Sequence, residues 1–128
     1  MSKPCNGQGM RPTVLVVEDD AAVRGSLKFS LEVEGFAVQD FCNGHDLLGR
    51  NDLPGSNCIV VDYNLPDMTG LEVLGGLRDR RVGIPAILIT SAPNQNLRDR
   101  AAAVGAGIVE KPLLGDALVQ SIREIVAR

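Results

Sequence analysis

Carboxylates stand at the ends of two apolar segments of this chain. The segment Val14–Val17 is followed by the acids Glu18–Asp20, and a lone aspartate, Asp62, closes the stretch Cys58–Asp62. If these segments are neighbouring parallel strands, both acidic ends open onto the same edge of the sheet. Two unit charges about 4 Å apart repel by about 4 kcal/mol at an effective dielectric near 20. The sequence therefore predicts a divalent cation, a buried lysine, or both at this edge.

Two more polar residues follow apolar segments farther along the chain. Thr90 ends the segment Ile84–Thr90, and Lys111 follows Ile108–Glu110. Taken alone, Thr90 could be an ordinary strand residue, Lys111 a solvated lysine, and Asp20 a helix cap. Together with the acids, however, they occupy the C-terminal ends of the first, third, fourth and fifth predicted strands. Such ends converge on one crevice in a doubly wound sheet, so we interpret the set as one site.

Strand and helix patterns alternate along the chain. The predicted strands are Thr13–Val17, Phe36–Phe41, Cys58–Asp62, Ile84–Thr90 and Ile108–Glu110. The predicted helices are 21–33 (capped by Asp20), 46–50, 71–80, a segment capped by Asn94 or Asn96 that runs to 104, and 114–127. Five βα units predict an α/β fold, a single doubly wound (βα)5 domain with a parallel five-stranded sheet of flavodoxin-like order 2-1-3-4-5. We expect residues 1–12 to form a flexible leader and residues 13–128 to form the domain.

Composition limits the core and the partners. Hydrophobic residues make up 45% of the 128 residues but aromatic residues only 3%, which predicts an aliphatic core around buried parallel strands. The formal charge of -3 does not indicate a positively charged surface for nucleic acid, so we expect no direct binding to nucleic acid. The three cysteines, Cys5, Cys42 and Cys58, lack a Cys-x-x-Cys spacing, which favours free thiols in the cytoplasm. No apolar run approaches the ~20 residues of a membrane-spanning helix.

The residue types at the predicted crevice fit phosphoryl transfer. Glu18, Asp19 and Asp62 offer hard oxygen ligands, which suit Mg²⁺ held by one or two carboxylates. A carboxylate beside such an ion can act as a nucleophile and form an aspartyl phosphate. The metal and Lys111 would neutralise charge on the phosphoryl oxygens, and Thr90 would supply a hydroxyl donor.

These residues resemble the motifs of a known family, the CheY-like receiver domains of two-component response regulators. The resemblance covers about residues 11–128. It rests on Val-Glu-Asp-Asp at 17–20, Asp62 with Leu-Pro-Asp-Met-Thr-Gly at 65–70, Ile-Thr-Ser at 89–91, and Glu-Lys-Pro at 110–112. Each motif is modest alone, but their order and their placement on the predicted elements make the set specific.

The resemblance implies a role for each acidic residue. Asp62 would be the phosphoacceptor, and Glu18 and Asp19 would be the acidic pair that holds Mg²⁺. Asp19 and Asp62 would be direct ligands, and the backbone carbonyl of Asn64 would be a further one. The phosphodonor would be a phosphohistidine on a sensor histidine kinase or a small acyl phosphate.

The resemblance also implies a switch, with one departure. Thr90 would be the switch hydroxyl, Lys111 would pair with the phosphoryl group, and the Lys111–Pro112 bond would be cis. Receivers usually carry Tyr or Phe three residues before this lysine as a rotating partner of the threonine, whereas this chain has Ile108. Because Ile has no ring to rotate, we predict that the signal leaves through the loop after Thr90 and the helix near 94–104.

The function implied is a phosphorylation switch. The chain would catalyse its own phosphorylation and slow dephosphorylation, without turnover of an external substrate. Its downstream partner would be an effector or an output domain that this chain does not contain, and a phosphorylation-dependent homodimer is compatible with the resemblance. We expect no membrane partner.

Two alternatives stay open at this level. A phosphohydrolase with an aspartate nucleophile typically places a second aspartate two residues later as general acid, but Asn64 stands there and no cap domain is evident. A pseudo-receiver, acting as a phosphorylation-independent binding module, is favoured only by Ile108.

Overall fold

Five strands alternate with five helices within residues 11–113 and 116–127, the part of the chain that the computed structural model describes. The strands are β1 (Thr13–Val17), β2 (Ala37–Phe41), β3 (Cys58–Asp62), β4 (Ala86–Thr90) and β5 (Ala106–Glu110). The helices are α1 (Ala21–Val33), α2 (Gly44–Leu48), α3 (Gly70–Asp79), α4 (Gln95–Ala103) and α5 (Ala117–Val126). Residues 1–10 of the predicted leader and the predicted first residue of the last helix, Leu114, lie outside the described residues.

The sheet has the predicted topology. All strand pairs are parallel, and the order β2-β1-β3-β4-β5 confirms the predicted 2-1-3-4-5 arrangement. The register pairs Val17 with Val61, so the next residues along β1 and β3 leave the sheet at the same level. Glu18 and Asp62 are thereby placed side by side by the backbone pairing of apolar residues.

The central strands are buried on both faces, which explains their unbroken apolar sequences. Leu15, Ile59 and Val61 pack towards the side of α3 and α4. Their neighbours Val14 and Val60 pack towards the opposite side, with residues of α1 and α5. No helix in the described part of the chain combines the length and the apolar character that crossing a membrane requires.

Several element boundaries differ from the sequence prediction by one to three residues. β5 begins at Ala106 instead of Ile108, because its backbone pairs with β4 through Gly107, whose lack of a side chain hides the strand pattern. α2 begins at Gly44 instead of residue 46, because the Asn43 side chain accepts a hydrogen bond from Asp46 N and caps the helix. β2 and β4 begin one and two residues later than predicted.

Candidate functional site

Three carboxylates meet at the C-terminal edge of the sheet. Glu18 follows β1 and is 3% exposed, and Asp62 ends β3 and is 4% exposed. Asp19, the next residue after Glu18, is exposed. One oxygen of each side chain lies within 4.8 Å of the other two. The structure therefore brings together the three acids that the sequence nominated as metal ligands.

The Lys111 side chain reaches into this cluster. Its Nζ lies 2.7 Å from Asp62 Oδ2 and 3.8 Å from Glu18 Oε1. The Lys111 amide donates to Thr90 O at 2.8 Å, which fixes the residue beside the end of β4, and the Lys111–Pro112 peptide bond is cis. Partial burial lowers the pKa of Lys111, but its hydrogen bond to Asp62 and the surrounding negative charge outweigh this effect and raise it. The ammonium is therefore held in its charged form.

One lysine does not balance three carboxylates. Burial raises the pKa of Glu18 to about 7, with a further contribution from Asp62 and opposition from the Asp20 amide and Lys111. The Asp20 N–H donates to Glu18 Oε2 at 3.1 Å. Burial is the main cause of this shift, and a divalent cation beside the carboxylates would lower the pKa again by stabilising the charged form.

The donor set fits Mg²⁺ by its chemistry. All three side chains offer hard oxygen atoms, and the exposure of Asp19 leaves room for the water ligands that Mg²⁺ retains. The resemblance also predicts the Asn64 carbonyl as a metal ligand. Asn64 lies next to the three carboxylates, since its amide donates to Asp62 Oδ1 at 3.2 Å. The residues present therefore match the predicted metal.

The predicted switch residues lie on β4 and β5. Thr90 ends β4, is 4% exposed, and accepts a hydrogen bond from Ala92 N at 3.3 Å. Ile108 pairs with Leu88 of β4 and packs, half-buried, on the core cluster that includes Leu97 of α4. An aliphatic side chain thus occupies the position where the resemblance calls for an aromatic ring.

Helix caps stabilise the loops around the site. Asp20 accepts hydrogen bonds from Ala22 N and Val23 N at 2.9 and 3.0 Å, which confirms its predicted role as the α1 cap. Asn94, one of two predicted candidates, caps α4 by accepting from Leu97 N at 2.8 Å.

Gly70 contributes to the site in a way that the sequence analysis missed. A Cβ at this first residue of α3 would lie 2.5 Å from Asp62 O and 2.7 Å from Leu88 Cδ1. The Gly70 amide also donates to Tyr63 O at 2.7 Å. Only glycine allows the start of α3 to approach the strand end that carries Asp62. Its position at the end of the motif 65–70 was the only signal in the sequence. Arg24 of α1, which contacts the acidic loop from its backbone side, was also missed.

Comparison with known proteins assigns most of the chain to one class of domain. The family model described as the response regulator receiver domain matches residues 14–123. The chain is 33% identical over 111 residues to the transcriptional regulatory protein FixJ of Rhizobium meliloti, covering 86% of this chain and 54% of that protein. It is also 33% identical over 118 residues to the cell cycle response regulator CtrA of Brucella ovis, covering 90% and 50%. The chain thus spans about half the length of these relatives.

Solved structures give the same assignment. A CheY-like response regulator receiver domain protein from Methanospirillum hungatei superposes with a TM-score of 0.83 at 28% identity, covering 91% of this chain and 94% of that one. The structure titled FixJ-N gives a TM-score of 0.79 at 32% identity, with 92% and 94% covered. The comparison of structures and the comparison of sequences therefore assign the chain to the same class of domain.

Proposed function

Since this chain belongs to the response regulator receiver domain family, we propose that it is a Mg²⁺-dependent phosphoacceptor of two-component signalling. In this proposal Asp62 accepts a phosphoryl group from a phosphohistidine of a sensor histidine kinase. The observation that carries it is the buried Asp62 carboxylate, which lies 2.7 Å from Lys111 Nζ and within one cluster with Glu18 and Asp19.

Asp62 would act as the nucleophile. One of its carboxylate oxygens forms the new P–O bond while the P–N bond of the donor breaks and its electron pair stays with the imidazole nitrogen. Before transfer, Oδ1 accepts from the Asn64 amide and Oδ2 from Lys111, so the carboxylate is held in one orientation. Such positioning lowers the entropy cost of reaching the transition state.

Lys111 and Thr90 would stabilise the transferred group. The Lys111 ammonium, kept charged by the neighbouring carboxylates, can turn from Asp62 to an oxygen of the arriving phosphoryl group. The Thr90 hydroxyl, at the end of β4, would donate to another oxygen. Mg²⁺ held by Glu18, Asp19 and Asp62 would supply further positive charge at the phosphoryl oxygens.

The kinase would dock beside α1. An apolar groove of about 510 Å³ runs between α1 and α5, and Lys111 lines it together with Val23, Leu27 and Leu118. A donor protein must bring its phosphohistidine to Asp62, and Lys111 joins this groove to that carboxylate. Val23→Glu should therefore slow transfer from a histidine kinase that phosphorylates the wild type, while labelling by acetyl phosphate continues. Equal slowing with both donors would contradict this docking surface.

The output would be a changed surface. We place the change at residues 91–94 and α4, which follow Thr90 directly, where an effector or a second copy of the chain would bind. The chain would modify only itself: it would hydrolyse its own phosphoryl group slowly and would not turn over external phosphate esters.

Acetyl phosphate tests the proposal. With Mg²⁺, the wild-type chain should gain one phosphate by intact mass, and Asp62→Asn should gain none. Chelation of the metal should abolish the gain. An unchanged mass of the wild type, or equal labelling of Asp62→Asn, would overturn the proposal. Absence of Mg²⁺-dependent beryllofluoride binding would instead support the pseudo-receiver alternative.

A further inference from the structure

Arg24 contacts the acidic loop from the side of its backbone. Its Nη1 donates to Glu18 O at 2.9 Å and to Asp19 O at 3.4 Å. Its Nε donates to Asp40 Oδ2 of β2 at 3.2 Å. The side chains of Arg24 and Asp40 are 22% and 33% exposed, so this contact is partly shielded from water. One guanidinium thereby links the carbonyls of both acidic residues to the edge strand.

Strand pairing does not extend to these carbonyls. β1 ends at Val17, and the last backbone bond towards β2 is from Glu18 N to Phe41 O at 3.0 Å. Helix α1 begins only at Ala21. The carbonyls of Glu18 and Asp19 therefore lie between two regular elements, and Arg24 donates to both of them there.

The restraint matters because the acidic side chains repel one another. Exposed Asp19 would lower its repulsion from Glu18 and Asp62 by turning into solvent, and Mg²⁺ binding would then have to reorder the loop. A planar guanidinium can donate to several acceptors at once, whereas a lysine ammonium binds as a point charge.

We propose that Arg24 is a positioning residue for the metal site. It fixes the backbone of Glu18 and Asp19 so that both carboxylates face Asp62 before the cation arrives, and Asp40 orients its guanidinium. This inference rests on the proposed function, since it assumes that the carboxylates bind Mg²⁺. Arg24 itself does not touch the phosphoryl group.

Mg²⁺ affinity measured by calorimetry provides the first test. Arg24→Met should bind Mg²⁺ about tenfold more weakly, the lower end of the effect of removing a residue that orients metal ligands. Arg24→Lys should bind Mg²⁺ almost as weakly, because lysine keeps the positive charge but cannot donate to the two carbonyls and Asp40 at the same time. Asp40→Asn should show a smaller loss and provides the test if Arg24→Met fails to fold. The matched control is Arg80→Met, since Arg80 also donates to two backbone carbonyls, Leu48 O and Arg50 O, at the end of α2.

Amide hydrogen exchange in the Mg²⁺-free protein provides the second test. The Asp20 N–H, which donates to Glu18 Oε2, should exchange faster in Arg24→Met than in the wild type and in Arg80→Met.

The outcomes separate the two proposals. If the wild type binds Mg²⁺ and Arg24→Met binds it equally well, the role of Arg24 is refuted and the proposed function stands. If Arg24→Lys binds Mg²⁺ with wild-type affinity, only the positive charge of Arg24 matters, and its positioning role is also refuted. A wild type that does not bind Mg²⁺ would overturn both.

Discussion

The contact between Gly70 and Asp62 predicts a specific effect of one methyl group. Gly70→Ala would place a Cβ 2.5 Å from Asp62 O and 2.7 Å from Leu88 Cδ1. The Leu88 side chain can rotate away. The Asp62 carbonyl cannot, because it belongs to β3, the central strand of the sheet. Either α3 must move outwards, or the end of β3 that carries Asp62, the proposed phosphoacceptor, must shift.

The energetic cost follows from two opposing effects. Overpacking by one methyl group costs about 1–3 kcal/mol. Because the added methyl group would contact backbone that cannot move, we expect Gly70→Ala to cost about 3 kcal/mol by this effect. Alanine in place of glycine in a helix recovers up to about 1 kcal/mol. We therefore expect Gly70→Ala to lower the free energy of unfolding by about 2 kcal/mol.

Gly75 of the same helix is the matched control. A Cβ there meets no atom within 4 Å, so Gly75→Ala should gain about 1 kcal/mol from helix propensity alone. With urea slopes of about 1–3 kcal/mol per molar, the midpoint should fall by about 1 M for Gly70→Ala and rise by about 0.5 M for Gly75→Ala. Phosphorylation by acetyl phosphate should slow only in Gly70→Ala.

Two results would refute this reasoning. A Gly70→Ala protein as stable as the wild type would mean that α3 does not need the close approach. A destabilised Gly70→Ala protein that phosphorylates at the wild-type rate would mean that the approach does not position Asp62.

Three further predictions concern the pKa of Glu18, the route of the signal, and the loop that carries Asp67. Because burial raises the pKa of Glu18 from its ordinary 4.5 to about 7, its protonated form favours the folded state, and this contribution is lost as pH rises from 4.5 to 7. In urea titrations without Mg²⁺, Glu18→Gln should therefore lose less stability over this range than the wild type, and identical pH profiles would contradict the burial effect. Beryllofluoride with Mg²⁺ should shift the amide resonances of residues 91–94 and α4 despite Ile108, whereas shifts confined to the acidic pocket would contradict this route for the signal. Asp67→Ala should cost about 1 kcal/mol in urea unfolding, because Asp67 accepts hydrogen bonds from Gly44 N and His45 N, the first two amides of α2, at 3.1 and 2.8 Å and so supports the helix start that Asn43 caps. An unchanged midpoint would refute this support.

The sequence sufficed where a residue's role follows from its own position along the chain. Unbroken apolar runs predict buried parallel strands, and alternation with helices then leaves few topologies. Once the order was predicted, the strand ends located Glu18, Asp62 and Lys111 at one edge without any coordinates. Asp20 was predicted as a cap because capping is a local interaction.

The start of β5 and the roles of Gly70 and Arg24 required the folded chain. Gly107 gives no side-chain pattern, so only pairing with β4 reveals that the strand includes it. The sequence does not indicate that the Asp62 carbonyl occupies the space of a Cβ at Gly70, because the two residues are in contact only after α3 packs on the sheet.

The sequence by itself determined which elements form, how they are ordered, and which acids and lysine stand at the strand ends, because periodicity and backbone pairing act on short segments. The tertiary structure alone decided how closely those groups approach and which residues hold them. Lys111 Nζ lies 2.7 Å from Asp62 across 49 residues of chain, and Arg24 joins the loop after β1 to Asp40 of β2. Distances between groups far apart in sequence depend on how helices and strands pack, and packing is a property of the whole fold.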